Sequence, residues 1–350
     1  MSFLPYITET LPGTGGTLRV EPEDFVVEEI RAFAASGEGE HLLLWIEKRN
    51  TSHDYLMQHL AERLGVPRRA IGTAGIKDRR AVTRQAVSVP AAAQSRIADV
   101  ETELIHVIEA QRHRHKLRAG HLKGNQFSVL LRGVDTEGYQ AAVGIHREIA
   151  QTGIPNFFGP QRFGRGCETL QQGLQLITGQ RRAEQLPRKR REFLLRLSLS
   201  AVQSELFNQV LASRIHDGLG RTVLIGDVMQ VVLSGGPFYV EDACREQARF
   251  EERETVIAGP IFGPKMLASR GVPNEREQQV MAANGLDDQH FERFRRLTRG
   301  TRRANWVYPG DFQFSAEPDG LRLEFSLQAG SYATVVLREF MKTEALAETE

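Results

Sequence analysis

The chain has 350 residues, of which 41% are hydrophobic and 25% are charged, a composition typical of a globular protein with room for about two domains. Its two cysteines lie far apart and support neither a disulfide framework nor a thiolate zinc site, and no stretch approaches the ~18 apolar residues of a membrane span. Composition therefore predicts a soluble cytoplasmic protein, while the net charge of +1 neither favours nor excludes a nucleic-acid partner.

The N-terminal part of the chain shows the patterns of short strands around one helix. Leucines recur every four residues at Leu56, Leu60 and Leu64, which predicts a helix over 51–64 that ends at Gly65. The segment IGTAGIKDRR has glycine breaks and little periodicity, so Asp78 is expected on a loop. The predicted strands are Thr17–Val20, Phe25–Ile30, His41–Glu47, Ala81–Val89 and Gln126–Val134.

Helical patterns dominate after a helix predicted over Glu137–Thr152. Strands return in 311–327, and a closing helix is expected within 329–342. The patterns therefore predict an α+β protein whose sheet-based domain is discontinuous, formed by 1–154 and 305–350, with an insert at 155–304. Within the insert, the predicted helices are Glu192–His216, Val240–Glu252 and Glu277–Arg296.

Basic residues are segregated along the chain. Asp78 is the only carboxylate between Glu62 and Asp99, an interval that contains eight lysines and arginines. Basic runs recur as QRHRHKLR, RKRR and FERFRRLTRGTRR. Each run alone is also typical of a solvated helix face, but together they favour a polyanionic partner such as RNA.

Three stretches contain residue types suited to chemistry on RNA. In GIKDRR, the cations around Asp78 favour a charged carboxylate, although the same pattern is typical of a structural ion pair. In HLKGNQF, the Asn125 amide can orient a carboxylate or contact a base edge, or simply form a turn. In PNFFGPQRFG, aromatic, amide and guanidinium groups alternate as in sites that hold unpaired bases, or the phenylalanines belong to the core.

Six motifs in the same order resemble those of the TruD family of tRNA pseudouridine synthases. The motifs are PEDFVVEE at 22–29, GEGEH at 37–41, GIKDRRAVT at 75–83, HLKGNQF at 121–127, PNFFGPQRFG at 155–164 and AGSYATVVLRE at 329–339. The resemblance implies the pseudouridine-synthase catalytic fold, a mostly antiparallel sheet with flanking helices, with an inserted α+β TRUD domain at 155–304. It also implies an isomerase without cofactor that acts on a uridine of the D-arm region of tRNA, position thirteen.

The same resemblance assigns roles to individual residues. It places the nucleophile at Asp78 and a basic partner at Arg19, where relatives often have lysine. It places Tyr332 in the base pocket, where relatives usually have phenylalanine; a tyrosine keeps the stacking face, and Arg19 keeps the charge. The expected substrate-binding residues are Phe25, Asn125, Tyr332, Lys77 and Phe127.

Two other functions are compatible with these residues. A catalytically silent RNA-binding protein or RNA chaperone would use the same scaffold without needing Asp78. A glycosidase or metal nuclease would need further carboxylates, for which Glu21, Glu23 and Asp24 are candidates in space. His113 and His115 alternate with arginines, which disfavours a cation, so we expect no metal and no cofactor. The sequence does not determine the oligomeric state, and a monomer is compatible with it.

Overall fold

The structure is a computed structural model that describes residues 4–343. Its strands are β1 (Thr17–Leu18), β2 (Phe25–Arg31), β3 (His41–Arg49), β4 (Gly72–Thr73), β5 (Val82–Pro90), β6 (Ile105–His113), β7 (Leu122–Arg132), β8 (Ile154–Pro155), β9 (Val228–Val231), β10 (Pro237–Tyr239), β11 (Thr255–Ile261), β12 (Thr301–Ala304), β13 (Trp306–Val307), β14 (Gly310–Glu317) and β15 (Gly320–Gln328). Its α-helices are α1 (His53–Leu64), α2 (Thr136–Thr152), α3 (Glu168–Ile177), α4 (Arg191–His216), α5 (Ala243–Glu251), α6 (Gly271–Ala283), α7 (Asp288–Glu292) and α8 (Ala333–Met341).

One compact unit comprises residues 11–152, 308–333 and 340–343. It is built on a nine-stranded sheet with the order β14-β15-β7-β2-β5-β3-β6, to which β1 adds beside β7 and β4 beside β5. The β2–β5 pair is parallel and the other pairs are antiparallel. Because β15 pairs with β7 along its whole length, the C-terminal part of the chain completes a sheet that the N-terminal part begins.

The other unit comprises residues 4–10, 153–307 and 334–339. It contains an antiparallel four-stranded sheet with the order β10-β9-β11-β12 and a short β8–β13 pair. The long helix α4 packs against α3 and β11, and its buried residues include Leu199, Val202 and Leu206. The buried apolar residues of this unit form two clusters, one among α3, α4, α6 and α7 and the other where β9 and β11 meet α5.

Local sequence explains why α1 begins and ends where it does. The Ser52 hydroxyl accepts a hydrogen bond from the Tyr55 backbone amide at the first turn, and Gly65 closes the helix in the left-handed conformation with φ 66°. Leu56, Leu60 and Leu64 are buried against the apolar face of β3 and β5. The leucine spacing thus predicts both the helix and the side that packs on the sheet.

The predicted α+β class is confirmed, as are the strands around β2, β3, β5 and β7. The helix expected over Glu277–Arg296 is wrong, because Asn284 and Gly285 end α6 and the chain restarts as α7. The strand expected over Thr17–Val20 ends at Leu18, because Arg19 has a left-handed φ of 59°. The strand β6 and the four-stranded sheet of the insert were not predicted, and the domain limits at 154/155 and 304/305 stay a prediction.

No helix within residues 4–343 is both long enough and apolar enough to cross a membrane.

Two helical glycines should respond oppositely to alanine. A Cβ at Gly173 of α3 would lie 2.2 Å from the Ser198 carbonyl oxygen of α4, whereas one at Gly144 of α2 would make ordinary contact with Leu11 at 3.4 Å. We expect Gly173→Ala to lower the free energy of unfolding by ~1–3 kcal/mol through overpacking. Gly144→Ala should raise it by up to ~1 kcal/mol through helix propensity. Urea unfolding of both variants is the measurement, and a stable Gly173→Ala would show that the two helices separate easily.

Candidate active site

Register places the candidate residues on one face of the nine-stranded sheet. Lys48 lies opposite Thr83, Thr83 opposite Val27, Val27 opposite Phe127, and Phe127 opposite Phe325. Since paired residues point to the same side of a sheet, this row crosses five strands on a single face. The loop between β4 and β5, which contains Asp78, is bonded to this face by the contacts described next.

The next row on that face holds Lys77. Glu29 of β2 lies directly opposite Asn125 of β7, and both contact the Lys77 ammonium. The Lys77 Nζ lies 3.0 Å from Glu29 Oε2 and donates to Asn125 Oδ1 at 2.5 Å. The side chains of Lys77 and Glu29 are 4% and 1% exposed, so the pair is buried. This clamp fixes the residue immediately before Asp78.

The Asp78 carboxylate is held by Arg19. The Arg19 Nη2 donates to Asp78 Oδ1 at 3.0 Å, with the arginine side chain 3% exposed and the aspartate side chain 28% exposed. The guanidinium also lies over the Phe25 ring, with Cζ 4.1 Å from the centroid. Arg19 reaches both partners from a left-handed backbone, an arrangement that costs about 1 kcal/mol or more for a residue with a side chain. Oδ2 of Asp78 meets no partner within residues 4–343, so one carboxylate oxygen is left for a reactant.

Lys48 binds the backbone of the same aspartate. Its Nζ donates to the carbonyl oxygens of Asp78 and Thr51, each at 2.7 Å, and the residue is fully buried. Burial lowers the pKa of Lys48 to about 8, an effect that the Asp78 charge opposes and the Lys77 charge reinforces. The ammonium therefore lies close enough to both residues to feel their charges.

Aromatic residues surround this cationic centre. Phe25 is 1% exposed and meets Phe127 edge to face at 6.2 Å between centroids, and Phe127 stacks on Phe325 at 5.3 Å. Tyr332 is half-buried in the turn between β15 and α8, beyond the point where Leu327 lies opposite Asn125. Asp78, Arg19, Lys77, Asn125, Phe25 and Phe127 are thus joined by contacts, and Tyr332 belongs to the same unit.

Charge balance gives the centre a surplus of one positive charge. The site contains three cations, Arg19, Lys48 and Lys77. Their charge is partly balanced by two carboxylates, Asp78 and Glu29. Such an arrangement keeps Asp78 oriented, and it stabilises negative charge that develops on a ligand in a partly dehydrated site.

The other carboxylates considered from the sequence are engaged elsewhere. Asp24 is bound by Arg132, whose Nη2 lies 2.8 Å from Oδ1, and Glu21 lies 3.5 Å from the same guanidinium. Glu23 pairs with Arg49. Over residues 4–343 no group of three or more histidine, cysteine or carboxylate side chains is arranged to hold a metal ion. None of these three carboxylates therefore pairs with the cations that hold Asp78.

Two residues of the site, Lys48 and Glu29, were not predicted. A signal existed for Lys48, because Leu42, Leu44 and Ile46 alternate along the buried face of β3 and Lys48 takes the next position on that face. A lysine in an apolar alternation is costly unless it binds something. The same period in β2 puts Glu29 behind Phe25 and Val27.

Comparison with known proteins finds relatives that are similar to this chain over nearly its full length. The family model described as tRNA pseudouridine synthase D (TruD) matches residues 2–183 and 182–340. The chain is 43% identical to tRNA pseudouridine synthase D of Anaeromyxobacter dehalogenans over 99% of its length and 98% of the relative's. It is 39% identical to tRNA pseudouridine synthase D of Thermus thermophilus, over 99% and 94% of the two chains.

A solved structure is also similar. The crystal structure of TruD from Methanosarcina mazei superposes with a TM-score of 0.77 at 27% identity, covering 98% of this chain and 97% of that one. A match of this coverage extends over both units of the chain.

Removing one partner of the buried Lys77–Glu29 pair should lower the free energy of unfolding more than removing both partners. We expect Lys77→Met to lower the free energy of unfolding by ~3–5 kcal/mol, because Glu29 is left charged and buried. The double variant Glu29→Gln/Lys77→Met should be more stable than Lys77→Met alone. Arg68→Met is the matched control, since its ion pair with Asp54 is exposed and should be worth at most ~1 kcal/mol. Urea unfolding of the four proteins gives the comparison, and a double variant no more stable than Lys77→Met would contradict the coupling.

Lys48 predicts a specific dependence of stability on pH. Its pKa falls from 10.5 in the unfolded chain to about 8 in the fold, so between these values the unfolded chain retains a proton that the folded chain has released. The Lys48 contribution to the free energy of unfolding therefore rises with pH across that interval, by on the order of 1–3 kcal/mol. Lys48→Met lacks this titration. The difference in unfolding free energy between wild type and Lys48→Met, measured from pH 7 to 10.5, should shift in favour of wild type; a flat difference would mean that Lys48 titrates normally.

Proposed function

Because the chain belongs to the TruD family of tRNA pseudouridine synthases, as its motifs predicted, we propose that it converts uridine thirteen, in the D-arm region of tRNA, to pseudouridine with Asp78 as nucleophile. The chain is an enzyme of this isomerase class, and its family acts on tRNA. The target position and the roles of individual residues are the proposed part.

The reaction exchanges one bond for another within a single nucleotide. The N1–C1′ bond of the uridine breaks, the uracil rotates and a C5–C1′ bond forms. The hydrogen at C5 leaves as a proton and N1 takes up a proton, so the product is an isomer of the substrate. In the proposal Asp78 acts as the charged carboxylate that assists cleavage through Oδ2, while Arg19 holds Oδ1 at 3.0 Å. An aspartate that a cation holds in a fixed orientation before the substrate binds is prepared for this role.

The positive surplus of the site suits the charge that develops. When the N1–C1′ bond breaks, uracil leaves with negative charge, and a fixed excess of cations in a partly buried site stabilises that charge. Lys77, already bound to Asn125, and Lys48, behind the Asp78 backbone, supply it. This arrangement of Asp78 among Arg19, Lys48 and Lys77 is the observation that carries the proposal.

The base pocket follows from the groups around the aspartate. Asn125 accepts from Lys77 through Oδ1, and its amide nitrogen donates to nothing within residues 4–343, so it can donate to a uracil carbonyl. Phe25 forms the floor beneath Arg19, and Phe127 supports Phe25 from the side. We assign Tyr332 to the wall on which the extruded base stacks, a contact that helps to offset the few kcal/mol cost of base flipping.

The test is release of tritium from [5-³H]uridine-labelled tRNA with no added cofactor, because forming the C5–C1′ bond expels that hydrogen. Wild type should release it, and carbodiimide treatment followed by reverse transcription should place the product at position thirteen. Asp78→Asn, which preserves shape and removes charge, should lose ~10³-fold or more of the rate while still binding tRNA. Asp99→Asn, at an exposed ion pair with Arg96, is the matched control and should behave as wild type.

Three results of this experiment would contradict different parts of the proposal. Full activity of Asp78→Asn would remove the aspartate from the chemistry. Absence of release from a folded wild type that binds tRNA would instead remove the proposed substrate. Release with the product at another uridine would leave Asp78 in place and correct the target position.

A further inference from the structure

The segment between β6 and β7 forms a second cationic site in the unit that contains Asp78. A cavity of about 390 Å³ opens there, lined by His41, Arg114, His115, Lys116, Arg118 and His121. Every one of these side chains is basic and none is a carboxylate. A cavity lined by arginine, lysine and histidine without a carboxylate favours an anion.

Hydrogen bonds brace the segment against the sheet, so the cavity is a built feature. The Leu117 amide donates to the Ser88 hydroxyl of β5 at 2.8 Å, and the Gly120 amide donates to the Ala74 carbonyl at 2.8 Å. The Lys116 ammonium donates to the Arg69 carbonyl. A pocket held at three points loses little entropy when it binds a ligand.

An aromatic ring fixes the histidines at the edge of the cavity. Phe33 stacks on His113 with 5.2 Å between centroids and meets His121 edge to face at 5.9 Å. His113 in turn contacts His115 at 6.5 Å. The imidazole rings are therefore oriented by packing. The Nδ1 of His121 accepts a hydrogen bond from the Arg118 backbone amide at 3.3 Å, so Nε2 is the ring nitrogen left for a ligand.

Several donors at the cavity are unused. Arg118 is exposed and forms no ion pair within residues 4–343. The Nδ1 of His41 is buried and finds no hydrogen-bond partner in the described part of the chain. Arg114 pairs with Glu38, yet its side chain remains 62% exposed. These groups match an oxyanion with several acceptor oxygens, as a phosphodiester has.

The cavity is close to the active site along the chain. Gly120 is bonded to Ala74, four residues before Asp78, and His121 precedes Asn125 by four residues, ~13 Å in an extended chain. That length is well below one turn of a nucleic-acid helix, ~34 Å. One RNA arm can therefore reach both places.

We propose that this cavity binds a backbone phosphate of the tRNA whose uridine lies at Asp78. The inference rests on the proposed function, because it takes the polyanion to be the substrate. A phosphate held here fixes the register of the RNA without reading its bases, so the contact selects where the target arm lies rather than which base is modified.

The experiment compares two arginines that are both exposed to solvent. Arg118→Gln removes a charge from the cavity, and Arg147→Gln removes one from the exposed side of α2. Affinity for an unmodified tRNA transcript is measured over a series of potassium chloride concentrations. Arg118→Gln should raise the Kd about three- to tenfold and reduce the slope of log K against log salt by ~0.7–0.9, the value for one phosphate contact. Arg147→Gln should change neither the Kd nor the rate of pseudouridine formation.

Further variants keep the test decisive. His115→Gln/Arg118→Gln should weaken binding beyond Arg118→Gln, and Arg118→Lys, which keeps the charge, should retain most of the wild-type salt slope. Equal slopes for Arg118→Gln and Arg147→Gln would overturn the proposal. Wild-type tritium release, run in parallel, separates the two hypotheses: if wild type is active and the slopes are equal, only the phosphate site is wrong.

Discussion

The structure depends on how a short loop is made rigid around one carboxylate. Arg19 binds the Asp78 side chain, Lys48 binds its backbone carbonyl, and Lys77 anchors the preceding residue between Glu29 and Asn125. Each cation comes from, or is bound to, a different strand or loop of one sheet face. Restricting the Asp78 side chain, its backbone and the neighbouring residue together preorganises the carboxylate, because its orientation is then in place before any substrate binds.

Holding buried charges in place costs free energy, and apolar packing on the sheet offsets that cost. A buried ammonium such as Lys48 costs desolvation energy that two carbonyl hydrogen bonds offset only in part, which is why its pKa falls to about 8. Apolar packing around the site, with Phe25, Phe127 and Phe325 in contact, supplies stability that the polar centre does not. The arrangement is typical of a functional site, where local stability is given up for a charged and oriented group.

The loop between β6 and β7 is braced against the same part of the fold. Its bond to Ala74 connects it to the loop of Asp78, and its continuation into β7 leads to Asn125. A phosphate bound in the cavity and a uridine at the aspartate would therefore be held by parts of one braced framework. In the proposed function, phosphate contacts would supply affinity and register, and the aromatic and amide groups near Asp78 would contact the flipped base.

The sequence by itself determined the family, the α+β class, the helix α1 with its cap, and the loop position of Asp78, because these depend on motifs and on periodicities within a few residues. Tertiary structure alone decided the rest. Lys48 and Glu29 became site residues only when strand register placed them beside Lys77 and Asp78. The β6–β7 basic run became part of a cavity only when the fold placed His41 beside it. Register and packing join residues far apart in the chain, and no local pattern encodes which distant side chain a buried charge will meet.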